Sequence, residues 1–125
     1  MSEQGALVAV VDDEEPIRKA LSRLLRLAGF KVETFASGSE FLEALPNDPP
    51  QCVILDLHMP GIDGFEVESR LTQADFDIPV IAITGRDALK DRERILERGV
   101  AAFLQKPLDG EVLLAAITAA TKPTP

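Results

Sequence analysis

Asp56 closes the apolar run Cys52-Val53-Ile54-Leu55, a place where a carboxylate is costly. A run of this kind reads as a strand buried on both faces, and a charge at its end needs a partner or a cation. Asp12 and Asp13 follow a similar run, Leu7-Val8-Ala9-Val10-Val11. Thr84 and Gly85 follow Val80-Ile81-Ala82-Ile83, and Lys106 and Pro107 follow Ala101-Ala102-Phe103-Leu104-Gln105. Three acids, a hydroxyl and an ammonium at the carboxyl ends of buried strands make an active-site inventory. Clustered carboxylates form an oxygen-only site that suits Mg²⁺, which keeps several waters and often works beside a phosphate. A carboxylate can also attack phosphorus and form an aspartyl phosphate. That reaction needs positive charge near the transferring oxygens, which a divalent cation and Lys106 would supply. Thr84 offers a hydroxyl to a phosphoryl oxygen.

The elements that must position these groups alternate along the chain. Strands are predicted at Leu7–Val11, Lys31–Phe35, Cys52–Asp56, Pro79–Ile83 and Ala101–Gln105. Between the first two, Pro16 fits a first helical turn, and Ile17, Leu21, Leu24, Leu25 and Ala28 form an apolar stripe that stops at Gly29. Ser37-Gly38-Ser39-Glu40 is a capping box ahead of Phe41, Leu42 and Leu45. Asp63-Gly64 reads as a turn and cap, opening a helix with Phe65, Val67 and Leu71 inward. A charged helix is predicted over Asp87–Arg98, stopping at Gly99. Asp109 caps a last helix with Val112, Leu113, Ala116, Ile117 and Ala120. Five strand–helix units imply an α/β fold, a five-stranded parallel sheet covered by five helices through right-handed crossovers. Ligands of such sheets bind beyond the carboxyl ends of the strands, where the polar residues gather.

The chain has 125 residues and a net charge of −8, one domain's length and no basic footprint for nucleic acid. Met1–Gly5 shows no leader pattern and no apolar run reaches the ~20 residues of a membrane span, so neither export nor a membrane is expected. The single Cys52 reads as a small core residue, which fits a reducing, cytoplasmic setting. No glycine-rich nucleotide loop occurs, so a phosphoryl donor would arrive on another molecule. Asn47-Asp48-Pro49-Pro50 is a loop, and residues 121–125 read as the start of a linker or tail after a domain over 1–120.

Taken singly, each group has a plainer explanation: a helix cap for Asp12-Asp13, a turn for Thr84, a solvated side chain for Lys106. In order, Asp12-Asp13, Asp56 with Met59-Pro60 and Asp63-Gly64, Thr84-Gly85 and Lys106-Pro107 resemble the receiver domain of two-component response regulators, the CheY-like superfamily. Phe103 and Ile83-Thr84-Gly85 are most similar to the receivers of FixJ-like transcription regulators. The resemblance implies a flavodoxin-like, doubly wound sheet of strand order 2-1-3-4-5. It implies that Asp56 accepts phosphoryl from a sensor histidine kinase's phosphohistidine, and that Asp12, Asp13, Asp56 and the backbone carbonyl of His58 hold Mg²⁺. Thr84 and Lys106 would bind the phosphoryl oxygens, the Lys106–Pro107 bond would be cis, and Thr84 and Phe103 would form the switch. The implied role is a regulatory domain and not an enzyme beyond its own phosphoryl transfer and dephosphorylation.

Phe103 stands where many members carry Tyr, so the ring remains without its hydroxyl. His58, the chain's single histidine, is expected to turn its side chain to solvent while its carbonyl works. Arg86 is expected at the site's rim. The helix over Asp87–Arg98 carries both charge signs and is either a solvated face or a dimer surface, since the family often pairs through its fourth helix, fifth strand and fifth helix. Two rivals remain: a haloacid-dehalogenase-like phosphatase, which needs an acid where His58 stands, and a pseudo-receiver, which would have lost an acid or the lysine.

Overall fold

A computed structural model describes residues 5–45, 49–85 and 88–121. The five strands are β1 (Leu7–Val11), β2 (Lys31–Phe35), β3 (Cys52–Asp56), β4 (Val80–Thr84) and β5 (Ala102–Gln105). The helices are α1 (Glu15–Leu27), α2 (Gly38–Ala44), α3 (Gly64–Gln73), α4 (Ala88–Leu96) and α5 (Gly110–Thr121). All strand pairs are parallel and the order is β2-β1-β3-β4-β5, as the resemblance implied.

Side-chain alternation along the strands builds two cores. Val8, Val10, Ile54, Ile81 and Ile83 face α1 and α5, meeting Leu21, Leu25, Leu113 and Ile117. Ala9, Val11, Val53 and Leu55 face α2 and α3, meeting Phe41, Leu45, Val67 and Leu71. A smaller cluster, Leu57, Phe65, Ala82 and Ile95, seats α4, with Phe103 packed against it. β3 and β4 are buried at every position. That accounts for their unbroken apolar runs, and each fully buried Val or Ile side chain contributes about 1.5–3 kcal/mol.

The helix signals act as the sequence suggests. Pro16 lies in the first turn of α1, and Gly29 follows its end at φ 97°, a conformation glycine adopts without penalty. Ser37 accepts a hydrogen bond from the Glu40 amide at 3.1 Å, and Asp63 accepts one from Glu66 at 2.9 Å. Asp63 is thus a cap.

Several boundaries differ from expectation. β4 is shifted by one residue, because Thr84 still pairs across to Gln105 and its carbonyl accepts from Lys106 N at 2.8 Å. α4 ends at Leu96, since the Arg98 and Gly99 amides close tighter turns onto Ile95 and Leu96. α5 continues through Thr121, whose hydroxyl donates to the Ile117 carbonyl at 2.9 Å. Val112 is half exposed on α5. Expectations for Met1–Gln4, the Asn47-Asp48 part of the loop, Arg86, the Asp87 start of α4 and tail residues 122–125 fall outside the described residues.

Gly64 ties α3 to the end of β3. A Cβ there would meet the Asp56 carbonyl oxygen at 2.5 Å and Leu57 Cα at 2.7 Å, both backbone. Gly64→Ala is therefore expected to destabilise by roughly 1–3 kcal/mol, as overpacking does. At Gly85 the nearest atom is the flexible Lys106 Cδ at 3.7 Å, so Gly85→Ala should stay within about 0.5 kcal/mol. Urea midpoints followed by circular dichroism compare the two.

Candidate functional site

The parallel sheet delivers the sequence-predicted groups to one rim. Asp12 directly follows β1, Asp56 ends β3, Thr84 ends β4 and Lys106 directly follows β5. Asp12 and Thr84 are fully buried, Asp56 is 3% exposed, and Asp13 is exposed. Asp13, Glu14, Asp56, His58, Gly85 and Lys106 line a cleft of about 320 Å³.

Local geometry explains how buried carboxylates are tolerated. The Asp12 backbone is clamped: its amide donates to the Phe35 carbonyl at 3.1 Å, and its carbonyl accepts from Arg18 Nη1 at 2.8 Å. Its Oδ1 accepts from the Glu14 amide at 2.9 Å, at the start of α1. Asp56 Oδ1 accepts from the His58 amide at 3.2 Å. Lys106 Nζ lies 3.0 Å from Asp12 Oδ2, 3.0 Å from Glu14 Oε1 and 3.5 Å from Asp56 Oδ2. The Lys106–Pro107 bond is cis, as implied.

The electrostatics follow. Burial, then the nearby Asp12 charge, pushes the Asp56 carboxyl up to about 6, against the lowering pull of the His58 amide and Lys106. Burial also raises Asp12, more than the Glu14 amide and the neighbouring Lys106 ammonium lower it. For Lys106, burial pulls downward, but its bond to Glu14 and the Asp12 and Asp56 carboxylates beside it outweigh that and hold the ammonium above its usual range. Three acids, Asp12, Glu14 and Asp56, thus share one ammonium, and a fourth, Asp13, lies beside Asp12 and Asp56 at the same rim.

That imbalance is what a cation site requires. Ligand oxygens of Asp12, Asp13 and Asp56 lie within 4.8 Å of one another. Asp12 Oδ2 is buried and receives no hydrogen bond among the described residues; its contact with Lys106 is an ion pair without hydrogen-bond alignment. An oxygen-only set with one orphaned buried oxygen fits a hard divalent cation.

Sequence reasoning missed two groups here. Glu14 shares Lys106 with Asp12, and its place one residue before α1 was the available signal. Asp91, read as part of a mixed-charge helix face, is 5% exposed. It accepts from Thr84 Oγ1 at 3.0 Å, and His58 Nε2 lies 2.6 Å from the same Oδ2. This corrects the expectation for His58. Its ring remains 38% exposed, but it bridges to α4 and does not simply face solvent. It also corrects the solvated-face reading of α4 at Asp91.

The site's carboxylates set a pH dependence. With a folded value near 6 against 3.8 for the free side chain, Asp56 holds its proton more firmly in the folded chain. Its stabilising influence is complete below about pH 4 and is lost as pH rises through about 6. Without divalent cations, Asp56→Asn is expected to be more stable than the unmutated protein at pH 7.5, by about 2–3 kcal/mol. The difference should close as pH falls from 6 to 4, as urea unfolding at several pH values will measure.

Comparison with known proteins places these groups in context. Residues 8–118 match the response regulator receiver domain family. Response regulator MprA of Mycolicibacterium vanbaalenii is 37% identical over 117 residues, covering 94% of this chain and 51% of that protein. The crystal structure of FixJ-N superposes with a TM-score of 0.88 at 33% identity, covering 98% of both chains. A response regulator receiver protein from Burkholderia phymatum superposes with a TM-score of 0.83 at 40% identity, covering 95% of this chain and 97% of that one. The chain spans about half the length of the curated relatives it matches. Among the described residues no helix is long and apolar enough to cross a membrane.

Proposed function

The chain belongs to the response regulator receiver domain family, and from that premise we propose that Asp56 takes a phosphoryl group from a sensor histidine kinase and switches an output through α4, β5 and α5. The observation that carries this reading is the buried pair Asp12 and Asp56 at adjacent strand ends, faced by Lys106 Nζ at 3.0 and 3.5 Å. A purely structural role would not bury two repelling carboxylates beside an open cleft.

Asp56 is the nucleophile. One carboxylate oxygen forms a bond to phosphorus as the phosphohistidine P–N bond breaks, and the kinase imidazole leaves with the electron pair. With its carboxyl near 6, Asp56 is ionised at neutral pH and ready to attack. Lys106 neutralises charge on the transferring oxygens, and the Thr84 hydroxyl donates to one of them. Asp12, Asp13, Asp56 and the His58 carbonyl would hold Mg²⁺, which supplies electrostatic screening between the acids and the incoming phosphoryl group. Regulation of transcription is the output we favour, by likeness to the FixJ receiver. A cytoplasmic site of action agrees with the free, buried Cys52, whose thiol is pushed by burial up to about 12 and is inert.

On the output side, Phe103 is half-buried against Leu57, Phe65, Ala82 and Ile95. Withdrawal of Thr84 toward a phosphoryl group lets that ring bury further. Leu89, Leu96 and Val112, exposed on α4 and α5, lie on the face that an output domain or a second copy would read.

Incubation with Mg²⁺ and acetyl phosphate, followed by intact-mass measurement, should add one phosphate to the unmutated protein. Asp56→Asn and protein in excess chelator should gain nothing. A phosphate on Asp56→Asn, or full labelling in chelator, overturns the assignment. Mg²⁺ alone should raise the urea midpoint of the unmutated protein, by about 2.7 kcal/mol at 100-fold excess over Kd, and by less once Asp12 or Asp13 is removed.

A further inference from the structure

Thr84 and Asp91 meet in a way that the phosphoacceptor chemistry does not require. Asp91 lies in the first half of α4, almost wholly buried among a run of exposed charged neighbours. Its Oδ2 accepts the Thr84 hydroxyl proton at 3.0 Å. A hydroxyl has one proton to give. While that proton is directed at Asp91, it cannot be given to an oxygen of a phosphoryl group on Asp56.

We propose that Asp91 is a positioning residue for phosphoryl binding: a latch that competes with the phosphoryl group for the Thr84 hydroxyl and couples its release to α4. The inference rests on the receiver reading above and adds a residue to it. Three observations support it. First, Asp91 is an anionic acceptor, so its hold on Thr84 is charge-assisted and comparable in kind to what a phosphoryl oxygen offers. Second, His58 Nε2 sits 2.6 Å from the same Asp91 oxygen. A carboxylate only accepts, so this short contact has Nε2 as the donor. His58 stays with Asp91 when Thr84 leaves, so release does not strand a buried charge without a partner, the circumstance that makes a broken buried pair so costly. Third, the two bonds tie α4 to the end of β4 and to the segment just after β3. Redirecting the Thr84 hydroxyl to a phosphoryl oxygen therefore removes one of the polar ties on this helix, and α4 senses the chemistry directly.

A latch of this kind weakens phosphoryl binding by the amount of the contact that must be given up. Removing it should tighten binding, which is opposite to what loss of a merely structural side chain does. Beryllofluoride with Mg²⁺ is the probe, as a stand-in for phosphoryl on Asp56, and fluorine NMR counts the bound species. Asp91→Ala should bind it on the order of tenfold more tightly than the unmutated protein, the scale of one hydrogen bond to a charged group. Asp91→Asn keeps the shape and a weaker, neutral acceptor, and should tighten binding by roughly threefold. It decides the matter if the alanine variant does not fold. In a Thr84→Ala background the same substitutions at Asp91 should change affinity little, because nothing remains to be released.

The latch is overturned if the folded Asp91 variants bind as the unmutated protein does or more weakly, or if the gain persists without the Thr84 hydroxyl. Failure of the unmutated protein to bind beryllofluoride at all would overturn the receiver chemistry itself. The two failures are therefore told apart by the first sample measured.

Discussion

The carboxylates of Asp12 and Asp56 are out of water at neighbouring strand ends, and the Lys106 ammonium is the countercharge that lets them stay there. Two acids raised above their ordinary range and a lysine raised above its own are three views of this one balance. Lys106 is also divided with Glu14, so its attraction is spread over three acids and neutralises none of them completely. The cleft keeps excess negative charge, favourable for a divalent cation and unfavourable for a bare phosphate. Everything else in the fold keeps these groups at that distance. The parallel sheet sets the strand ends side by side, Gly64 lets α3 start against the Asp56 carbonyl, and the turn into α1 clamps Asp12 through Glu14 and Arg18.

Much of this was legible in the sequence because strand ends are written in plain terms. An unbroken apolar run followed by Asp, Thr or Lys locates both the strand and the side chain that emerges from it, and β1, β2 and β3 begin and end where their residue patterns say. Asp63 could be told from a chemical acid because Gly64 follows it and Glu66 lies three residues on, the arrangement of a helix cap. The resemblance then supplied strand order, which periodicity cannot.

Asp91 was not legible, for a physical reason. In Ala88–Leu96 it is one acid among several charges, and the helical period alone does not say which turn meets a polar strand end. Its burial comes from where α4 lies across the sheet, with Ile95 seated against Leu57, Phe65 and Ala82. Thr84 and His58 are 7 and 33 residues away from it in sequence. No local pattern joins three such positions. His58 was misjudged on the same account, because its partner belongs to a helix read as surface.

The far end of α4 is held by different forces. Arg94 lies 3.8 Å over the Phe65 ring, and Arg98, just past the helix, pairs with Glu68 at 2.9 Å and donates to the Phe65 carbonyl at 3.2 Å and to Ser69. These contacts reach α3 and involve none of the strand-end residues. The helix is thus fastened to α3 near its carboxyl end and to the reactive rim near its amino end, which is the mechanical arrangement of a lever with its fulcrum at Arg98. At 1.5 Å per residue its arm is about 13 Å. Leu89, 82% exposed, stands at the far end of that arm, and Leu96 stands beside the fulcrum. Of the apolar side chains on this helix, Leu89 is the one that any tilt about Arg98 would displace farthest.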